Sequence, residues 1–67
     1  MKATGKNIES LRKQKNLSVK EVQELFGFES PQAIYKWQWG DSLPSIDNLV
    51  VLATVFEVSI VNILVID

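Results

Sequence analysis

The chain has 67 residues, 46% of them apolar and 22% charged, a balance that fits a single small folded domain over residues 1–67 and excludes a disordered tail or a second core. With neither Cys nor His in the sequence, disulfides, thiol nucleophiles, finger-type zinc sites and imidazole acids or bases are excluded, and no metal, cofactor or small-molecule substrate is expected. The net charge of −1 weighs against a nucleic-acid partner as a whole, but it is unevenly spread: Lys2, Lys6, Arg12, Lys13, Lys15 and Lys20 face the lone acid Glu9, and Lys36 is the only later cation.

The first predicted element runs from about Thr4 to Lys15, with Ile8 and Leu11 on one face and Thr4 as the hydroxyl residue that opens it. The polar stretch Met1 to Asn7 lacks the apolar centre of a signal peptide. No apolar run in the chain approaches the roughly 20 residues of a membrane span, so a cytoplasmic protein without a membrane partner is expected. The second helix is the best specified. Ser18 and Glu21 form a capping box, Leu17 and Val22 occupy the staple positions, and Val22, Leu25 and Phe26 form the stripe expected to be buried. Gly27 stands where a left-handed residue ends a helix, and Phe28 can fold back as the apolar contact after the cap.

Ser30 followed by Pro31 repeats the start signal, since proline at the first helical position gives up an amide that had no partner. Gly40 supplies the stop. The predicted third helix, Pro31 to Gln38 or Trp39, is only about two turns long and must be held by its neighbours. Asp41, Ser42, Leu43 and Pro44 make a turn, and Ser45 opens a fourth helix through about Phe56 with Leu49, Leu52, Ala53 and Phe56 in period. Val58 to Ile66 has a Val and Ile content that suits a strand as well as a buried helix. The start signal at Ser59, with Val58 and Ile63 at staple positions, favours the helix. Short loops throughout predict an all-α, compact five-helix bundle.

Two short helices joined by a tight glycine-containing turn, the second with a polar outer face, form the pattern of a helix-turn-helix. At 100° per residue, Ala33, Ile34, Trp37 and Gln38 fall on one side of the third helix, while Gln32, Tyr35, Lys36 and Trp39 fall in an arc of about 100° on the other. Those outer groups can read base edges. A Gln amide pairs with adenine, a Lys ammonium donates to guanine, and aromatic rings pack on thymine methyls or sugars. Taken singly, a lysine such as Lys36 is more often a solvated surface cation than a contact, and Gln32 also reads as an ordinary polar first-turn residue. Tyr35 and Trp39 together make an apolar contact surface, unless Trp39 bends back onto the core after Gly40. Trp37 reads as core. Contacts to the DNA backbone are expected from Lys6, Lys20, the Ser18 region, Ser30 and Ser42.

With the helices placed, LRK, LS, the helix-ending Gly27, IYKW, Gly40, SLPSIDNL and VS occur in the order and spacing of the phage-repressor or Cro-type (XRE-like) regulators, which the chain resembles over about residues 5 to 65. The resemblance implies a lambda-repressor-like DNA-binding domain whose second and third helices read double-stranded DNA, usually a palindromic operator bound by a homodimer. Carried over by position, base reading falls on Ser30, Pro31, Gln32 and Lys36, and the start of the second helix on Ser18, Val19 and Lys20. The chain departs from the pattern at several places. Glu29 looks like an extra residue in the turn. Gln38 stands where relatives often have a Glu that pairs with the first-helix Arg, so Arg12 is expected to hydrogen-bond to an amide. Trp39 and Asp41 replace polar or basic residues, Glu57 replaces a helix-ending Gly, and Val61 and Asn62 replace acids. The more apolar end suggests a dimer surface of Val55, Val61, Val65 and Ile66, against the plainer alternative that Ile60, Ile63 and Leu64 are core and the rest scattered surface residues.

The function expected is a sequence-specific transcriptional regulator, a repressor acting by operator occupancy, since so short a chain leaves no room for a ligand-sensing domain. The competing reading is a protein-interaction module on the same fold, an antitoxin or anti-repressor partner, that uses Tyr35, Trp39 and the apolar C-terminus. The scattered carboxylates show no paired arrangement for acid and base work, so an enzyme is not expected.

Overall fold

A computed structural model describes residues 2–65 as five helices: α1 (Lys2–Gln14), α2 (Val19–Phe26), α3 (Gln32–Trp39), α4 (Ile46–Phe56) and α5 (Ile60–Ile63). No strand occurs among the described residues, which resolves the ambiguity after Val58 in favour of a helix, although a short one. Leu64 is already extended at φ −77°, ψ 133°, so the element is confined to about one turn, and Ile66, the expected end of this segment, lies outside the described residues.

Helix ends follow the local chemistry where side chains and backbone can satisfy each other without outside help. At α2 the Glu21 N–H donates to Ser18 Oγ and the Ser18 N–H to Glu21 Oε1, both at 3.0 Å, so the capping box forms as expected. Gly27 closes the helix at φ 72°. The Phe28 N–H reaches back to the Gln23 carbonyl at 3.1 Å, which brings the Phe28 ring within 5.0 Å of Phe26 and 6.0 Å of Trp37. Ser45 caps α4 through the Asn48 N–H at 3.3 Å.

Three expectations about helix ends need correction. Thr4 does not open α1, which starts at Lys2. The Thr4 side chain is fully buried, and its hydroxyl donates to the Val65 carbonyl at 3.1 Å and accepts from the Val65 N–H at 2.9 Å. A hydroxyl that finds partners 61 positions away carries no local start signal. Lys15 lies outside α1, because Asn16 takes the left-handed conformation at φ 57° and the Leu17 N–H bonds the Arg12 carbonyl at 3.1 Å, an Asn doing what Gly usually does. At α3 and α5 no side chain caps the first turn. Pro31 precedes α3 at φ −84°, ψ 3° and its carbonyl accepts from the Tyr35 N–H, so the prolyl residue and not Ser30 is the boundary.

The core consists of Ile8, Val22, Ile34, Trp37, Leu49, Leu52, Phe56 and Ile63, contributed by all five helices. Val22 is buried and Phe26 packs against this core, but Leu25, expected in the same stripe, is 58% exposed. Its position is 60° from Val22 on the side away from Phe26, which itself lies 40° beyond Val22 at 100° per residue. The Phe26, Phe28 and Trp37 rings draw the helix over toward Phe26 and leave Leu25 on the solvent flank.

The contact that sets α3 is made by α1. Gly5 is buried in the first turn of α1, where a Cβ would collide with the backbone carbonyls of Trp37 and Gln38. Glycine inside a helix costs about 1 kcal/mol relative to Ala, and here it lets the two backbones meet. At the other end of α1, Arg12 Nε donates to Gln38 Oε1 at 2.9 Å and Nη1 donates to the Leu17 carbonyl at 2.6 Å. The Arg12 to Gln38 hydrogen bond is the one expected from the sequence, and it holds a side chain that is only 8% exposed. Asn7 Nδ2 donates to the carbonyls of Asn62 and Ile63 at 2.7 and 2.9 Å, fastening α5 to the same helix. No described helix is long and apolar enough to cross a membrane.

Candidate nucleic-acid interface

The inner and outer sides of α3 divide as the helical period requires. Ile34, Trp37 and Gln38 are buried and Ala33 packs against the core, whereas Gln32, Tyr35, Lys36 and Trp39 are exposed. These four outer side chains line one shared depression. The structure therefore assembles an amide, a phenol, an ammonium and an indole on one stripe, backed by a helix that cannot rotate without breaking the Arg12 to Gln38 bond and the Trp37 packing. Ser30 is exposed and Pro31 half-buried just before this stripe begins.

Tyr35 and Trp39 are not independent. Their rings stack with centroids 5.6 Å apart and planes 22° from parallel. Trp39 is 61% exposed, so it does not bend back onto the core, one of the two courses open to it in the sequence. The signal for the stack was the spacing of four residues, which places two side chains one above the other on a helix. At the end of the stripe Gly40 takes φ 81°, and a Cβ there would meet the Cα and Cγ of Lys2 at 2.8 and 3.0 Å. The first residue of α1 thus lies against the last turn of α3, a juxtaposition that no local pattern announces.

The residues expected to meet phosphate are more dispersed. Lys20 and Ser42 are exposed. Lys6 is exposed on α1 and lines a shallow depression with Glu9, Ser10, Lys13 and Gln14, separate from the one on α3. Val19 packs its side chain against the core, leaving only its backbone for a ligand. Ser18 is exposed, but its N–H is already given to Glu21, whose carboxyl is held below the ordinary glutamate range first by that N–H and then by the Ser18 hydroxyl. A charged carboxylate therefore stands in the first turn of α2.

The residues of the apolar C-terminal group differ in exposure. Val61 is 79% exposed, but Val55 packs against the core and Val65 is half-buried, with its backbone pinned to Thr4. Ile66 falls outside the described residues. Other exposed apolar side chains on α4, Ile46, Val50 and Val51, were not singled out in the sequence, because their positions mix with core positions in a helix that is apolar on several sides, and Leu43 before α4 and Leu64 after α5 are exposed as well.

A family model described as helix-turn-helix matches residues 8–63 of the chain. Neither a search among curated proteins nor one among solved structures found a match.

Proposed function

We propose, from the premise that the chain belongs to the helix-turn-helix family of the Cro/repressor (XRE) type, that this DNA-binding regulator is a sequence-specific repressor which places α3 in the major groove and acts by occupying its operator. The observation that carries this reading is the exposed stripe of Gln32, Tyr35, Lys36 and Trp39 on a helix whose opposite side is locked into the core. Gln32 lies at the N-terminal end, the end that such motifs press into the groove. Its amide matches adenine and the Lys36 ammonium matches guanine. Ser30 and Pro31 lie close enough in sequence to contribute at the same end. Lys6, Lys20, Ser42 and the backbone around Ser18 and Val19 supply phosphate contacts, with Glu21 limiting how closely phosphate approaches α2.

A homodimer on a palindromic site follows from the same reading, with Val61 and the neighbouring C-terminal residues as contact points. Sedimentation at concentrations above the DNA affinity checks it, and a monomer there would refute it.

Selection of bound duplexes from a random pool tests the function directly. Enrichment of a motif, with affinity falling steeply as salt rises, is expected. In Gln32→Ala one base position should lose discrimination, by about 1–3 kcal/mol for a bidentate pair, while binding to the rest of the motif persists. Absence of any enriched sequence would reject the regulator and favour a protein-interaction module, the reading to which the exposed Tyr35–Trp39 stack and the net charge of −1 lend themselves.

A further inference from the structure

Hydrogen bonding by Gln32 and Lys36 leaves the most unusual part of the α3 surface without a task. Two aromatic rings stacked on each other in the open, Trp39 at 61% exposure and Tyr35 at 38%, keep apolar area in water that either ring would lose by turning inward, and such area marks a contact surface. The stack is pre-ordered, because each ring limits the rotamers of the other. It lines the same depression as Gln32 and Lys36, so whatever fills that depression touches all four.

Charge and spacing select the occupant. Lys36 borders the stack on α3, and Lys2 lies against Gly40, the residue that follows Trp39. An anionic polymer with an apolar projection suits two cations beside an aromatic platform. Along the helix axis, Gln32 and Trp39 are about 10 Å apart at 1.5 Å per residue, roughly three base-pair steps of 3.4 Å. The apolar group that the major groove presents is the C5-methyl of thymine.

We propose that the Tyr35–Trp39 stack is a second reading element that packs on a thymine methyl about three base pairs from the position read by Gln32. This rests on the DNA-binding reading above and adds a specificity that hydrogen bonds do not supply.

The test takes the duplex enriched by the wild-type protein and replaces each thymine by uracil, one position at a time, which removes the methyl and nothing else. Affinity is read by fluorescence anisotropy. At one thymine position the wild-type protein should lose about three- to fourfold in affinity, the effect of one methyl withdrawn from an apolar contact. Trp39→Ala should bind the thymine duplex more weakly and no longer distinguish uracil from thymine there, while keeping the base preference set by Gln32. Because Trp39 is exposed, unchanged helical circular dichroism and melting are expected for Trp39→Ala, and Tyr35→Ala provides an independent removal of the stack.

If no thymine-to-uracil change matters to a protein that still binds its enriched sequence, the proposal is wrong and the regulator reading stands. A methyl effect undiminished in both variants would equally overturn it, as would variants that bind DNA normally but lose a protein contact. Failure to enrich any sequence would reject both readings, and it shows at the selection step before uracil is introduced.

Discussion

Replacing Gly5 by Ala adds one methyl group at the point where α1 crosses the last turn of α3. The added carbon would stand 2.6 Å from the Gln38 carbonyl oxygen and 2.9 Å from its carbon, with the Trp37 carbonyl oxygen closer still. All three are backbone atoms that no side-chain rotation can move. To regain the 3.4 Å at which ordinary contact begins, the helices must separate by about 1 Å at the Trp37 carbonyl, loosening Ile8 and Trp37 in the core. Forcing a methyl into a packed interface costs about 1–3 kcal/mol, and the better helix propensity of Ala returns up to ~1 kcal/mol. The expected outcome is a net loss of about 1–2 kcal/mol and a melting temperature lower by roughly 5–15 °C for a domain of this size. Urea and thermal unfolding followed by circular dichroism and Trp fluorescence would measure it. Ser10→Ala, an exposed position on the same helix, should leave stability within about 0.5 kcal/mol of the parent. A Gly5→Ala protein as stable as the parent, or more stable, would refute the close-approach argument and leave propensity as the dominant effect.

Arg12→Ala should destabilise by about 1–3 kcal/mol, because it leaves the Gln38 side chain, 8% exposed, without its donor; chemical denaturation checks this, and Arg12→Ala combined with Gln38→Leu should recover part of the loss. Glu57 closes α4 with φ 59°, so Glu57→Gly should stabilise by about 1 kcal/mol through relief of the left-handed conformation, outweighing the loss of its exposed ion pair with Lys15; a lower melting temperature would count against it. The depressed Glu21 carboxyl contributes stability above its unfolded pKa, and that contribution disappears as pH falls through the folded value. Glu21→Gln, which keeps an acceptor for the Ser18 N–H but cannot titrate, should therefore flatten the acid limb of a stability–pH profile, and an acid limb as steep as the parent's would refute the link.

Elements whose cause lies within a few residues were readable in advance. Ser18 with Glu21, Gly27 with Phe28, Ser45, and Gly40 all act on backbone groups of their own turn, and the structure reproduces each. The division of α3 into a buried side with Ile34 and Trp37 and an outer side with Gln32 and Lys36 follows from a fixed rotation of 100° per residue, so it too was legible. Leu25 was misplaced for the opposite reason. A period of 3.6 locates an apolar arc but not its centre, and the neighbours that choose the centre, the Phe26, Phe28 and Trp37 rings for α2, are set by tertiary contact.

By itself the sequence determined that four helices form and favoured a fifth over a strand, where most of them stop, and which side of α3 meets solvent, since capping and periodicity are short-range effects. Only the tertiary structure decided that Thr4 serves Val65 instead of a helix start, that Gly5 is a contact between backbones, that Lys2 borders the end of α3, and that Trp39 stacks outward on Tyr35. Most of these depend on groups distant in the chain, whose meeting is settled by how the helices pack. The stack, though local in spacing, depends on the space left outside a core already filled by Trp37.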